Sequence, residues 1–118
     1  MASPNRFPRR ERIQSRREIG AVFDLGARWS VKGMRLHLRP TGGADNRAVF
    51  VTVRKYGNAV RRNRARRVVS ECWRLAKGGL NRGYDAVFVI YPGADTFADR
   101  NPQVLELLRR AGLGVPSL

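Results

Sequence analysis

A chain of 118 residues has room for one domain and one modest core, and its 42% hydrophobic content sets it apart from a disordered basic tail. Its 24 Lys and Arg against 9 Asp and Glu give a net charge of +15, a field of one sign that costs stability unless an external polyanion answers it. No apolar run approaches the roughly 18–20 residues that a membrane span needs, so the polyanion is expected to be nucleic acid or an anionic surface.

The charge is unevenly spread. Residues 1–70 hold 18 basic and 4 acidic side chains, whereas residues 71–118 hold 6 and 5. Apart from Lys32, Lys55 and Lys77, every basic residue is an arginine. A guanidinium grips phosphate oxygens with a planar fork and stacks on exposed bases, which favours nucleic acid over a membrane. Met1–Arg12 lacks the apolar core of a secretory signal, and the single cysteine, Cys72, has no internal partner. Both point to a reducing, cytoplasmic setting.

In chain order, the arginine-rich Met1–Gln14 with its two prolines reads as a flexible basic arm, and residues 15–118 as a single domain. Ser15-Arg16-Arg17-Glu18 matches a helix-opening capping box, and Ile19, Val22 and Phe23 follow at helical spacing. This helix is expected to stop at Gly26. Residues 28–39 alternate, with Met34, Leu36 and Leu38 on one face and Arg35, His37 and Arg39 on the other, and they end at Pro40. Thr41–Asn46 reads as a turn and Ala48–Val53 as a central strand, the two strands forming an antiparallel hairpin. Asn58 then caps a long helix running to about Lys77 and closed by Gly78-Gly79. Its apolar stripe is Ala65, Val68, Val69, Cys72 and Ala76; Arg64, Arg67 and Arg74 project from the opposite side, with Arg66 on the flank. Tyr84–Tyr91 is a further buried strand and Pro92–Arg100 a loop. Asn101-Pro102 opens a last helix, with Val104, Leu105, Leu107 and Leu108 facing inward. The pattern predicts an α+β or α/β sandwich, with no internal repeat and no linker to a second domain.

The stretch from Arg54 to Arg67 carries seven basic residues and no acid, and it joins the end of a strand to the start of a helix. Backbone N–H groups at a helix N-terminus already favour a phosphate. Five arginines in the first turns oppose the positive end of the dipole, a frustration that an RNA backbone would relieve. The same stretch carries a resemblance. Lys55-x-Gly57-Asn58-Ala59-Val60-x-Arg62-Asn63-Arg64-x-x-Arg67 is similar to the Arg-Asn-Arg box of the bacterial ribonuclease P protein component. Arg6-Phe7, Glu18-Ile19-x-x-Val22-Phe23-x-x-Gly26 and Tyr84-Asp85-x-Val87 resemble other elements of that family, in the same order.

The resemblance implies an α+β fold: a single four-stranded mixed sheet with helices packed on it, in the order α-β-β-β-α-β-α. Such a fold is ribosomal protein S5 domain 2-like, with a left-handed βαβ crossover against the usual rule. Its additional strand would come from around Arg28–Val31. The resemblance also implies that residues 15–118 are one RNA-binding domain, the protein subunit of a tRNA 5′-processing ribonucleoprotein of one protein and one RNA. There the ribonuclease P RNA is the catalyst, it holds Mg2+, and it removes the 5′ leader of precursor tRNA; no protein residue is catalytic. The implied docking face for that RNA is Arg54, Lys55, Asn58, Arg62, Asn63, Arg64, Arg66 and Arg67. The implied leader cleft lies between the first helix and the sheet, at Ile19, Phe23 and His37. Ile19 departs from the family pattern, which is commonly aromatic there, and His37 stands where a strand tyrosine is common.

Other readings are weaker. Asp24, Asp45, Asp85, Asp95 and Asp99 show no spacing suited to a two-metal nuclease, and nothing resembles a Cys/His zinc site. A ribosomal protein would explain the charge but not the Arg-Asn-Arg box beside a Phe-bearing first helix. A DNA-binding regulator lacks its helix-turn-helix pair. Trp73 and Cys72 read as packing residues, and Trp29 as either a sheet residue or part of the leader surface.

Overall fold

In the computed structural model, which describes residues 9–113, the elements run α1 (Arg16–Leu25), β1 (Ala27–Val31), β2 (Met34–Pro40), β3 (Arg47–Thr52), α2 (Ala59–Ala76), β4 (Tyr84–Ile90) and α3 (Phe97–Arg110). The Ser15 hydroxyl accepts the Glu18 N–H at 3.0 Å, as the capping box requires. At the other end the Gly26 N–H closes on the Val22 carbonyl at 2.9 Å. A Cβ on Gly26 would lie 2.5 Å from that carbonyl oxygen and 2.7 Å from the Leu38 oxygen, so only glycine lets the chain turn here straight into β1. Arg6-Phe7 lies outside the described residues.

The strands form one sheet in the order β1-β2-β4-β3. β1 and β2 make a hairpin closed at Val31 and Met34, with Gly33 at φ +91° in the intervening turn. The expected hairpin of β2 with β3 does not form. β4 lies between them, antiparallel to β2 and parallel to β3. The reason is burial: from Asp85 to Ile90 every β4 residue is buried, and a strand covered on both faces belongs at the centre of a sheet. The turn residues serve the entry to β4 instead. Asn46 donates to the Asn81 carbonyl at 2.7 Å and accepts the Tyr84 N–H at 3.0 Å.

α2 and α3 pack on one face of the sheet, against Met34, Leu36 and Leu38 of β2 and Phe88 and Ile90 of β4. Phe88 stacks on Phe50 at 5.6 Å and meets the edge of Trp73 at 5.7 Å. Trp29 packs against this same core, which makes it a sheet residue on the helix side. Cys72 is buried in α2, and desolvation pushes its thiol up to about 11. α1 lies on the opposite face, where Val22 meets Ile13, Val87 and Val89. The segment read as an arm is docked from its second half: Ile13 is buried, and its N–H bonds the Ala48 carbonyl on the edge of β3 at 3.1 Å. α3 starts ahead of the expected Asn101-Pro102. Thr96 accepts the Asp99 N–H at 3.2 Å and donates its hydroxyl to the Asp99 carboxylate at 2.7 Å, which caps the helix a turn earlier and leaves Pro102 inside it.

One polar cluster is enclosed by these layers. The Arg100 side chain is fully buried and pairs with Asp95 at 2.9 Å. It also donates to the Tyr56 hydroxyl at 2.8 Å, the Gly33 carbonyl at 3.1 Å and the Tyr91 carbonyl at 2.7 Å. Removing one partner of a buried pair strands the other charge, at a cost of about 3–5 kcal/mol. Asp95→Ala is therefore expected to lower unfolding stability by roughly 3 kcal/mol in urea; a loss under about 1 kcal/mol would show that Arg100 is compensated without it.

Candidate nucleic-acid interface

The Arg-rich joint between β3 and α2 is held from inside. Tyr56 is buried and donates its hydroxyl to Asp95 at 2.6 Å, and burial is the first cause that raises its pKa. Gly57 turns the chain at φ +134°. Asn58 then caps α2 by accepting the Arg61 N–H at 3.0 Å. Arg62 folds back onto the joint: Nε donates to the Gly57 carbonyl at 3.0 Å, Nη1 to Thr52 Oγ1 at 3.3 Å, and Nη2 to the Arg54 carbonyl. Of the residues expected on this face, Asn58 and Arg62 thus shape the joint, while Arg54, Lys55, Asn63, Arg64 and Arg67 are exposed on it. Arg66 is half-buried and donates to the side-chain amide oxygen Oδ1 of Asn63 at 2.5 Å.

Sequence reasoning missed the neighbours of this face. Arg9, Arg12 and Gln14 stand across from Asn63, Arg66 and Arg67 around a groove of about 900 Å3 floored by β3. The charge of Arg9 and Arg12 was legible, but the place of all three was not, because it depends on the pairing of Arg12 with Ala48.

The second surface lies under α1. Phe23 and His37 meet edge to face, with ring centroids 4.6 Å apart. Phe23 is 38% exposed and His37 only 5%, so the accessible ring of the pair is Phe23. His37 Nε2 accepts from Arg35 Nε at 2.8 Å, which leaves the imidazole proton on Nδ1. Burial, then the Arg35 and Arg28 charges, hold His37 below its ordinary pKa of 6.5. Ile19, one turn before Phe23 on α1, packs with the apolar patch of Val87 and Val89, Val87 being the strand partner of His37. Tyr91 joins that patch, with the Arg35 guanidinium 5.9 Å from its ring centre. Its two-residue spacing from Val89 was the signal that could have found it.

A three-way ion pair moors α1 over this surface. Arg47 bonds Asp85 of β4 through Nε at 2.8 Å and Nη2 at 2.7 Å, and Glu18 of α1 at 2.5 Å. Its guanidinium is what holds the Glu18 carboxyl below the usual range. Among the described residues, no group of three His, Cys, Asp or Glu side chains is placed to hold a metal ion, and no helix is long and apolar enough to cross a membrane.

A family model described as Ribonuclease P matches residues 7–112. The ribonuclease P protein component of Xylella fastidiosa is 37% identical over 113 residues, covering 95% of this chain and 84% of the relative. That of Petrotoga mobilis is 32% identical over 111 residues, covering 88% and 93%. The solved RNase P protein of Thermotoga maritima superposes with a TM-score of 0.76 at 29% identity, over 85% of this chain and 96% of that one. The RNase P protein of Staphylococcus aureus, at 19% identity and a TM-score of 0.79 over 88% and 97%, shares the fold.

The lowered pKa of His37 has a sign. The unfolded chain, with the ordinary value of 6.5, takes up the proton first as pH falls, so acidification draws the equilibrium toward unfolding. Stability is expected to decline as pH drops through 6.5 toward the depressed folded value. His37→Gln should flatten that decline in urea midpoints compared between about pH 7.5 and about pH 5.5; an identical decline in the variant would assign it to other groups.

Proposed function

Because the chain belongs to the ribonuclease P protein family, and so to the protein components of a tRNA-processing endoribonuclease, we propose that it works through two surfaces on opposite sides of its sheet. The first docks on the catalytic ribonuclease P RNA, one protein to one RNA, in the cytoplasm. The second holds the 5′ leader of precursor tRNA while that RNA cuts it off. The observation that carries the proposal is the internal anchoring of the β3–α2 joint. Tyr56, Asn58 and Arg62 satisfy its backbone and fix its shape, and Arg54, Lys55, Arg64 and Arg67 are thereby held outward.

On the docking side, the exposed guanidinium groups neutralise phosphates and release counterions, while Asn63, bonded to Arg66, adds hydrogen-bonding shape. On the other side, the Phe23 ring offers a face to an unpaired leader base. Arg28 lies opposite His37 in the strand register, and Arg35 and Arg39 alternate onto the same face of β2, supplying cations for leader phosphates. Bond cleavage belongs in this proposal to the RNA and to Mg2+ held mainly by it, with no protein residue as catalyst. His37 is neutral and engaged with Arg35; its part is to support Phe23.

Cleavage of precursor tRNA at low Mg2+ tests the whole reading. Activity is expected from the RNA and protein together and from neither alone; cleavage by the protein alone would overturn it, and so would the absence of any rescue. Arg64→Gln and Arg67→Gln should each flatten the log–log salt dependence of RNA binding by roughly 0.7–0.9, and an unchanged slope would remove them from the phosphate contacts. Phe23→Ala should weaken precursor tRNA binding by about 1–3 kcal/mol and leave mature tRNA binding nearly unchanged. An equal loss for both tRNAs would return Phe23 to a packing role.

A further inference from the structure

α2 carries another exposed ridge. Arg64, Arg67, Val68 and Glu71 follow one another at the spacing of a single helix face, and with Phe97 they line a recess of about 380 Å3. Phe97 is the first residue of α3 and is 43% exposed. A lone exposed aromatic is unremarkable on base rates; this one stands beside two exposed arginines in a concave setting.

Two cations, Arg64 and Arg67, line the recess against one acid, Glu71. Glu71 is held by Arg74 through paired bonds of 2.9 and 2.5 Å, which lower its pKa. Asp95 is paired with Arg100 and bonded by Tyr56; Asp99 is bonded by the Thr96 hydroxyl and keeps its charge, and neither lines the recess. Arg64 is steered over the start of α3 by a single bond, Nε to the Asp95 carbonyl at 3.2 Å. An aromatic ring flanked by guanidinium groups matches a nucleotide: the ring takes a base face, and the cations take the phosphates on either side. A base paired within a helix cannot offer its face, so the occupant has to be unpaired.

We propose that Phe97, Arg64 and Arg67 form a stacking site for one unpaired nucleotide of the RNA on which α2 docks. The site extends the docking face from α2 onto the N-terminal turn of α3. The proposal rests on the reading of α2 as the docking face for the catalytic RNA.

The test is binding of the full-length protein to ribonuclease P RNA across a salt series. Phe97→Ala is expected to weaken binding on the order of 5- to 150-fold with an unchanged salt slope, because a stacking contact releases no counterion. Phe97→Leu, which keeps an apolar side chain, should lose as much, and Phe97→Trp should bind at least as well as the native protein. Urea midpoints of all three variants should stay near the native value. Native-like binding by Phe97→Ala or Phe97→Leu, with Arg64→Gln and Arg67→Gln still weakened, would overturn the nucleotide site and leave the docking reading intact. Native-like binding by the arginine variants as well would overturn both.

Discussion

The buried guanidinium of Arg100 is the point on which the geometry of the molecule depends. It reaches the turn between β1 and β2 through Gly33, the end of β4 through Tyr91, the loop before α3 through Asp95, and the β3–α2 joint through Tyr56. A well-packed apolar group of the same volume would give comparable stability. What it could not do is fix four segments in direction at once, since only a planar fork of donors meets several acceptors at set angles. The position of the α2 N-terminus, and so of the arginines exposed there, is decided by this cluster of the interior.

The two proposed surfaces share a single strand. Along β2, Met34, Leu36 and Leu38 enter the core beneath α2 and α3, while Arg35, His37 and Arg39 alternate onto the face under α1. One stretch of seven residues therefore builds the hydrophobic floor of one side and the charged wall of the other. The sheet between them keeps the two apart, and Arg47 ties α1 to β4 from the rim.

Much of this was legible in the sequence, and the losses share a cause. Both caps of α1 and the N-cap of α2 are local, so Ser15, Gly26 and Asn58 announced them correctly. The Arg-Asn-Arg box likewise marked the joint, yet composition could not separate Arg62, which folds back on the backbone, from Arg64, which stays exposed. Adjacency in sequence suggests a hairpin of β2 with β3, whereas the burial of β4 on both faces decides the pairing; the four-stranded mixed sheet implied by the resemblance is the one that forms. For α3, Pro102 is a louder start signal in the sequence than the Thr96–Asp99 cap at which the helix begins. His37 was expected to face outward on grounds of alternation. It does leave the main core, but alternation says nothing about Phe23 arriving from a helix to cover it.

Gly26 sets the height of α1 above the sheet. With the Leu38 carbonyl oxygen 2.7 Å from where its Cβ would stand, main chain rests against main chain, and side chains do not act as the spacer. The opening beneath α1 therefore behaves like a slot cut to a fixed gauge. Side chains such as Ile19 and Phe23 can change without changing how wide the slot is. Aperture and lining are thereby set separately, the one by a main-chain contact and the other by whichever side chains α1 carries.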